Sequence, residues 1–176
     1  MKHLQGRLVT LRPVVDADLD VLVAIRATPE VRARWRGDDL VAEVREAIED
    51  EERHVLVVED STGAVVGAIQ WAAGDDPDYP HASIDLFLDP RVHGRGLGTD
   101  AARTLCAHLF DAGGFHRLVI DPAADNTAAI RCYEKVGFQP VGIMRQYERG
   151  ADGSFHDGLL MDLLPSDVKS VAGLGV

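Results

Sequence analysis

The sequence predicts an α/β domain built on a central mixed sheet with helices on both faces. Three observations carry this. Seven segments alternate apolar and polar residues with the period of a strand, and four carry apolar stripes at helical spacing. Their order, β-α-α-β-β-β-α-β-α-β-β, interleaves strands and helices without a repeat or a linker. A glycine-rich segment, Arg91-Val92-His93-Gly94-Arg95-Gly96-Leu97-Gly98-Thr99, separates an apolar strand from an amphipathic helix.

The elements follow in order. Leu8–Val14 alternates as a strand, and Asp16 is placed to cap a helix over Ala17–Ala27. A second helix runs from about Asp39 to Glu52, with Val41, Val44 and Ile48 as its apolar stripe. His54–Glu59 and Val65–Trp71 form a hairpin around Asp60-Ser61-Thr62-Gly63, and residues 74–80 are a loop by composition. In the strand Ala82–Asp89, Ala82, Ile84, Leu86 and Leu88 share one face; Ser83, Asp85, Phe87 and Asp89 share the other. The helix after the glycines runs to about Ala112 and buries Ala101, Ala102, Leu105, Cys106, Leu109 and Phe110. A strand His116–Asp121 leads to a helix Asn126–Val136, stopped by Gly137. Strands near Phe138–Tyr147 and Phe155–Leu163 flank the turn Gly150-Ala151-Asp152-Gly153. We expect a single domain over residues 1–164 and a frayed tail over 165–176.

Composition excludes several function classes. The chain has 176 residues, 46% hydrophobic and 27% charged, with no stretch approaching the roughly 20 apolar residues of a membrane span. The amino end lacks the apolar run of a signal peptide, so a cytoplasmic location is expected. A net charge of −11 opposes nucleic-acid and anionic-membrane partners and favours cationic ligands. Seven scattered histidines show no metal-ligand spacing, so no metal site is expected. Cys106 and Cys132 both fall in helices and read as free thiols. A monomer or homodimer is expected.

The glycine segment has a physical reading of its own. Bare backbone at a helix start aims several N–H groups at one point, where the helix dipole is positive, and this suits a phosphate. The spacing fits neither the dinucleotide fingerprint nor the Gly-Lys-Ser/Thr nucleotide loop. It does resemble the Arg/Gln-x-x-Gly-x-Gly/Ala loop of the GCN5-related N-acetyltransferases, here Arg91, Gly94 and Gly96. A second motif agrees: Asn126, then Ala129-Ile130-Arg131-Cys132-Tyr133-Glu134-Lys135-Val136-Gly137-Phe138. Asn126 and Tyr133 lie two helical turns apart, on one face. Cys132, about 100° round the helix from Tyr133, is not expected to act as a nucleophile.

The resemblance implies acetyl-CoA as donor. Its pyrophosphate would meet the N–H groups of Val92 and Gly94 to Gly98 (Gly94, Arg95, Gly96, Leu97, Gly98), beside Thr99, with Arg95 or Arg91 adding charge. The pantetheine arm would lie along Leu86-Phe87-Leu88 like an added strand. Asn126 would bind its amide, with Ala129 on the same helix and Tyr133 near the sulfur. Asp85 would serve as base or orienter for the amine, Tyr133 as acid for the thiolate, and an N–H near Leu86 or Phe87 would face the developing oxyanion.

Ser83-Ile84-Asp85-Leu86-Phe87 and Asp121-Pro122 through Lys135 resemble the aminoglycoside 6′-N-acetyltransferases in particular, where the Asp before Pro contacts sugar amines. Trp35-Arg36-Gly37-Asp38-Asp39 resembles their Trp/Tyr-Gly-Gly segment beside the acceptor. On this resemblance Trp35, Asp85 and Asp121 are acceptor contacts; Tyr147 and Asp157, placed on the last strands, are weaker candidates. A departure is the shorter loop between Gln70 and Ala82, and Arg36 replaces one Gly. Asp38, Asp39, Glu43 and Glu46 form either a solvated face or a negative rim. Two other readings share the cofactor half: an acetyltransferase for protein amino termini, and a non-catalytic acyl-CoA-binding module.

Overall fold

The computed structural model describes residues 3–74, 76–150 and 153–169. One eight-stranded sheet organises it, in the order β1-β2-β3-β4-β5-β6-β8-β7. The strands are β1 (Leu4–Gln5), β2 (Val9–Pro13), β3 (Arg53–Asp60), β4 (Val65–Ala73), β5 (Ala82–Leu88), β6 (Leu118–Ile120), β7 (Gln139–Arg149) and β8 (Phe155–Leu163). The helices are α1 (Leu19–Arg26), α2 (Pro29–Arg32), α3 (Leu40–Glu49), α4 (Leu97–Asp111) and α5 (Thr127–Val136). All neighbouring strands pair antiparallel except β5 and β6.

Strand alternation divides the core between the two sheet faces. Ile84 and Leu88 pack with Ala101, Leu105 and Leu109 of α4 and with Tyr133 and Val136 of α5. Phe87, Val57 and Ala68 face the other way, against Leu22 and Ile25 of α1, Val31 of α2 and Val44 of α3. Leu105, Leu109 and Leu118 are fully enclosed, each contributing about 1.5–3 kcal/mol of burial. Both cysteines are free, and burial pushes the thiols up, Cys106 the further.

The differences from expectation have local causes. The first helix starts with a 3-10 turn at Asp16–Asp18. Its cap is Asp18, which accepts from the Val15 N–H (2.9 Å) while pairing with Arg12. Leu40, not Val41, joins Val44 on the buried side of α3, because Asp39 starts the helix by accepting from the Ala42 N–H. The short α2 follows Pro29, an N1 residue too close to α1 to register as a separate period. The tail is anchored further than expected. Asp167 closes a turn at Pro165–Asp167, the Lys169 N–H donates to the Val136 carbonyl (3.0 Å), and Val168 packs on the core. Residues 170–176 and the turn residues Ala151 and Asp152 lie outside the described residues.

One departure from regular pairing positions the site. Parallel β5 and β6 pair only at Ala82↔Leu118 and Ser83↔Val119. Beyond Ser83 the two strands separate, leaving a gap in mid-sheet whose β5 edge runs from Asp85 to Leu88.

Candidate active site

The gap is lined from below by main chain. Ala82 donates its N–H to the Arg117 carbonyl on the β6 side, and Asp89 donates to Val66 on the β4 side. Backbone groups alternate along a strand, so Leu86 and Leu88 turn their N–H and C=O groups into the gap while Phe87 turns its own toward β4. The Leu88 carbonyl is contacted by the His93 ring at 3.1 Å. The Leu86 N–H donates to the Asp85 carboxylate at 2.8 Å.

Past Leu88 the chain enters the glycine loop. Gly94 and Gly96 have φ of 75° and 84°, a left-handed conformation that favours glycine. A Cβ at Gly94 would meet nothing within 4 Å, so the loop faces open space. Among the described residues the N–H groups of Gly94, Arg95, Gly96, Leu97, Gly98 and Thr99 have no acceptor. Six donors at the start of a 15-residue helix fit an anion. Val92 departs from expectation: it is buried, and its N–H donates to the Asp89 carbonyl (3.0 Å) within a 3-10 turn. Arg91 is also committed, gripping buried Asp89 through Nε and Nη2. That grip holds the Asp89 carboxyl below the ordinary range. Arg95 carries no hydrogen bond or ion pair among the described residues; its charge acts on Asp60, and its guanidinium can also meet an anion.

The helix behind the loop is held at its start. Buried Asp100 accepts from the N–H groups of Leu8 (2.7 Å) and Val9 (3.2 Å). Thr99 Oγ1 lies 3.3 Å from Cys132 Sγ, joining the first turn of α4 to α5. Asn126 caps α5 by accepting from the Ala129 N–H (3.3 Å), which leaves its amide NH2 to donate elsewhere.

Two ionisable groups meet across the gap from opposite sheet faces. Asp85 lies on the α1–α3 side; Tyr133 comes from α5 on the other. The Asp85 side chain is reachable by water yet walled by protein on most sides, as on the floor of an open cleft. This desolvation pushes its carboxyl up to about 7, against the Leu86 hydrogen bond, with Asp121 and Glu148 adding repulsion and Arg53 opposing it. Tyr133 is 4% exposed. Burial, then the charge of Asp85, holds its hydroxyl well above 10, so it keeps its proton at any working pH.

One side of the gap gathers residues from distant segments. The Tyr147 hydroxyl donates to Asp121, and that hydrogen bond, then burial and the charges of Asp121 and Glu148, raise the tyrosine to about 12. Arg145, Gln146 and Tyr147 of β7 stand opposite Asp157 alone, a bulge between the pairs Met144↔Gly158 and Glu148↔His156. Gln146 adopts φ of 52°, and its N–H donates to the Asp157 carboxylate at 2.8 Å. Asp157 therefore shapes the bulge that aims Tyr147. A Cβ at Gly158 would sit 2.9 Å from the Tyr147 ring, so glycine there makes room for it. Trp35 lies edge-on against Phe87, centroids 4.9 Å apart, two residues along the same strand face as Asp85.

Sequence reasoning missed Glu148, which is near enough to raise both Asp85 and Tyr147. A bulge hides it, because strict alternation cannot place residues beyond an inserted pair. The negative rim on the second helix resolves differently: Asp39 is a cap and Glu43 is paired with Arg26. Among the described residues no cluster of ligating side chains could hold a metal, and no helix is long and apolar enough to cross a membrane.

Comparison with known proteins fits this geometry. The Acetyltransferase (GNAT) domain family matches residues 8–139. An aminoglycoside N(6′)-acetyltransferase type 1 of Klebsiella pneumoniae is 29% identical over 153 residues, covering 76% of this chain and 75% of that protein. A mycothiol acetyltransferase of Salinispora arenicola (strain CNS-205) is 32% identical over 143 residues, 78% of this chain; the chain spans only 46% of that relative. The structure of a spermidine N-acetyltransferase from Vibrio cholerae, in complex with CoA and spermine, superposes with a TM-score of 0.78 at 20% identity, over 91% of this chain and 97% of that one. With a splayed sheet, a glycine loop and a family match over most of its length, the chain belongs to the GNAT family of N-acetyltransferases.

Proposed function

We propose that the protein moves an acetyl group from acetyl-CoA to a primary amine of a polycationic small molecule, the 6′-amine of an aminoglycoside, by direct transfer. The observation that carries this is the meeting of Asp85, Asp121 and Glu148 on the acceptor side of the gap, opposite the protonated Tyr133. Several fixed negative charges suit an acceptor with several ammonium groups. The similarity to an aminoglycoside N(6′)-acetyltransferase over three quarters of both chains supports the same acceptor class.

Acetyl-CoA supplies an activated acyl group and a thiolate that can leave. The N–H groups of residues 94–99 and the Arg95 guanidinium would hold its phosphates, and Leu86 and Leu88 would pair with its extended arm. Asp85, with a pKa of about 7, accepts the proton that an ammonium must lose before its nitrogen can attack. The Leu86 N–H faces the gap, and by exchanging the Asp85 carboxylate for the acyl oxygen it becomes the donor to that oxygen as charge develops there. Tyr133 gives the proton that the departing sulfur takes and regains one from the acylated nitrogen, which sheds its second proton as the amide forms.

Coenzyme A release by purified protein tests the reading. Kanamycin and tobramycin should sustain turnover with acetyl-CoA, while short peptides should not. Release with peptides alone would move the chain to protein amino-terminal acetylation. Tight acetyl-CoA binding without release for any amine would leave only a binding module.

A further inference from the structure

Arg26 belongs to none of the motifs above, yet it is a charged residue only 6% exposed, in the last turn of α1. Its guanidinium faces one segment, residues 35–37, and the helix beside it. Nη2 donates to the Arg36 carbonyl at 2.8 Å, to the Trp35 carbonyl at 3.4 Å and to the Glu43 carboxylate at 3.2 Å. The cation also lies 5.5 Å from the centroid of the Trp35 ring, close enough for a cation–π attraction. Arg26 Nε has no hydrogen-bond partner among the described residues. A buried cation left partly unsatisfied is unfavourable for stability, so its contacts call for a role beyond packing.

The segment it holds crosses the acceptor side of the gap and is tied at its far side too. Arg34 pairs with Asp125, in the turn before α5, and Arg36 Nη1 donates to the Arg149 carbonyl at the end of β7. Residues 34–36 thus bridge the helical layer and the β7 ribbon, with the Trp35 ring set against Phe87 in between. Gly37 completes the arrangement: a Cβ there would collide with the Glu43 carboxylate, which is the one that meets Arg26.

We propose that Arg26 is a positioning residue for the acceptor site: by gripping the carbonyls of Trp35 and Arg36 it fixes the strap over the gap and sets the Trp35 ring beside the face that carries Asp85. It touches neither donor nor acceptor and acts through Trp35. A purely structural role would run through the Glu43 ion pair between α1 and α3, and the two can be separated. Glu43→Gln removes the charge pair and leaves the carbonyl contacts; Arg26→Met removes both; Arg26→Lys keeps a cation without the planar fork.

The chain has two tryptophans, and Trp71 packs on the opposite sheet face. A Trp71→Phe background therefore makes Trp35 the fluorescent reporter. In that background Arg26→Met should raise acrylamide quenching of Trp35 about twofold or more, and Glu43→Gln should leave it near the parent value. With kanamycin, Arg26→Met should raise the acceptor KM about tenfold, while acetyl-CoA affinity by calorimetry stays within about twofold. Arg26→Lys should fall between parent and Met and guards against a Met variant that fails to fold. The kinetic arm rests on the proposed acceptor class; the quenching arm does not. Failure of the parent to acetylate kanamycin counts against that class, and the strap is then judged on quenching alone. Unchanged quenching in both Arg26 variants, or equal effects in Glu43→Gln and Arg26→Met, overturns the inference.

Discussion

The glycine loop and the wall proposed for the acceptor open onto one gap but are made of different material. On the loop side the recognition groups are main-chain nitrogens of residues 94–99, exposed because Gly94 and Gly96 take left-handed backbone and because a helix start leaves its N–H groups unpaired. On the side proposed for the acceptor they are side chains: Asp85 from β5, Asp121 after β6, Tyr147 from the bulge in β7 and Glu148 just beyond it, Trp35 from the segment between α2 and α3. Backbone recognition needs a local conformation, which nine consecutive residues can encode. Side-chain recognition needs several distant segments to arrive together, each with its own support. The first is hard to retune; the second can change one residue at a time.

This contrast breaks down if substitutions on the two sides have mixed effects on donor and acceptor. The largest effect is expected at Asp85. Asp85→Asn should lower kcat by about 10³-fold, within the range for general-base groups, with acetyl-CoA affinity unchanged by calorimetry. The pH profile checks the same assignment. Because Asp85 works when ionised, kcat/KM should rise with pH through about 7, and the variant should lose that limb. Next is Tyr133→Phe, with a loss at the low end for acid catalysis, about 10²-fold, because a thiolate leaves without much help.

Gly96→Ala sharpens the loop side. Forcing a Cβ into left-handed backbone costs about 1–2 kcal/mol; the free loop can relax to relieve that strain and must regain the cradle to bind, so acetyl-CoA Kd should rise by up to about fivefold to thirtyfold while kcat at saturating donor holds. The mirror test is Gly158→Ala, which crowds the Tyr147 ring; it should raise the kanamycin KM several-fold and leave acetyl-CoA Kd alone. The smallest effect is on stability. The folded Asp85 pKa lies above its unfolded value of about 4, so the unliganded fold binds an extra proton and loses stability as pH rises between about 4 and 7. Asp85→Asn removes that loss, and its melting temperature should exceed the parent's by about 1–3 °C at pH 8 but not at pH 4.

Much of the fold was legible because period-two and period-3.6 patterns are local. β8 runs over Phe155–Leu163 as the alternation predicts, and α5 begins at the Asn126 cap. Fold errors arose where a short element follows another closely, as α2 follows α1, or where a residue changes role through a distant partner. Asp18 rather than Asp16 caps the first turn because Arg12 on β2 holds it there. In the site the glycine loop was legible as a donor set, while Val92 and Arg91 were read too simply. The Asp89 that engages both is an ordinary strand-end residue in sequence. Arg26 and Glu148 carried no signal, since a lone arginine in a helix and a glutamate in a strand read as solvated.

The Leu86 amide carries one hydrogen, and in the unliganded chain the neighbouring aspartate already occupies it. An incoming oxygen that takes that hydrogen displaces the carboxylate oxygen bound there, so under the proposed reading the seating of a thioester carbonyl and the freeing of Asp85 are one exchange.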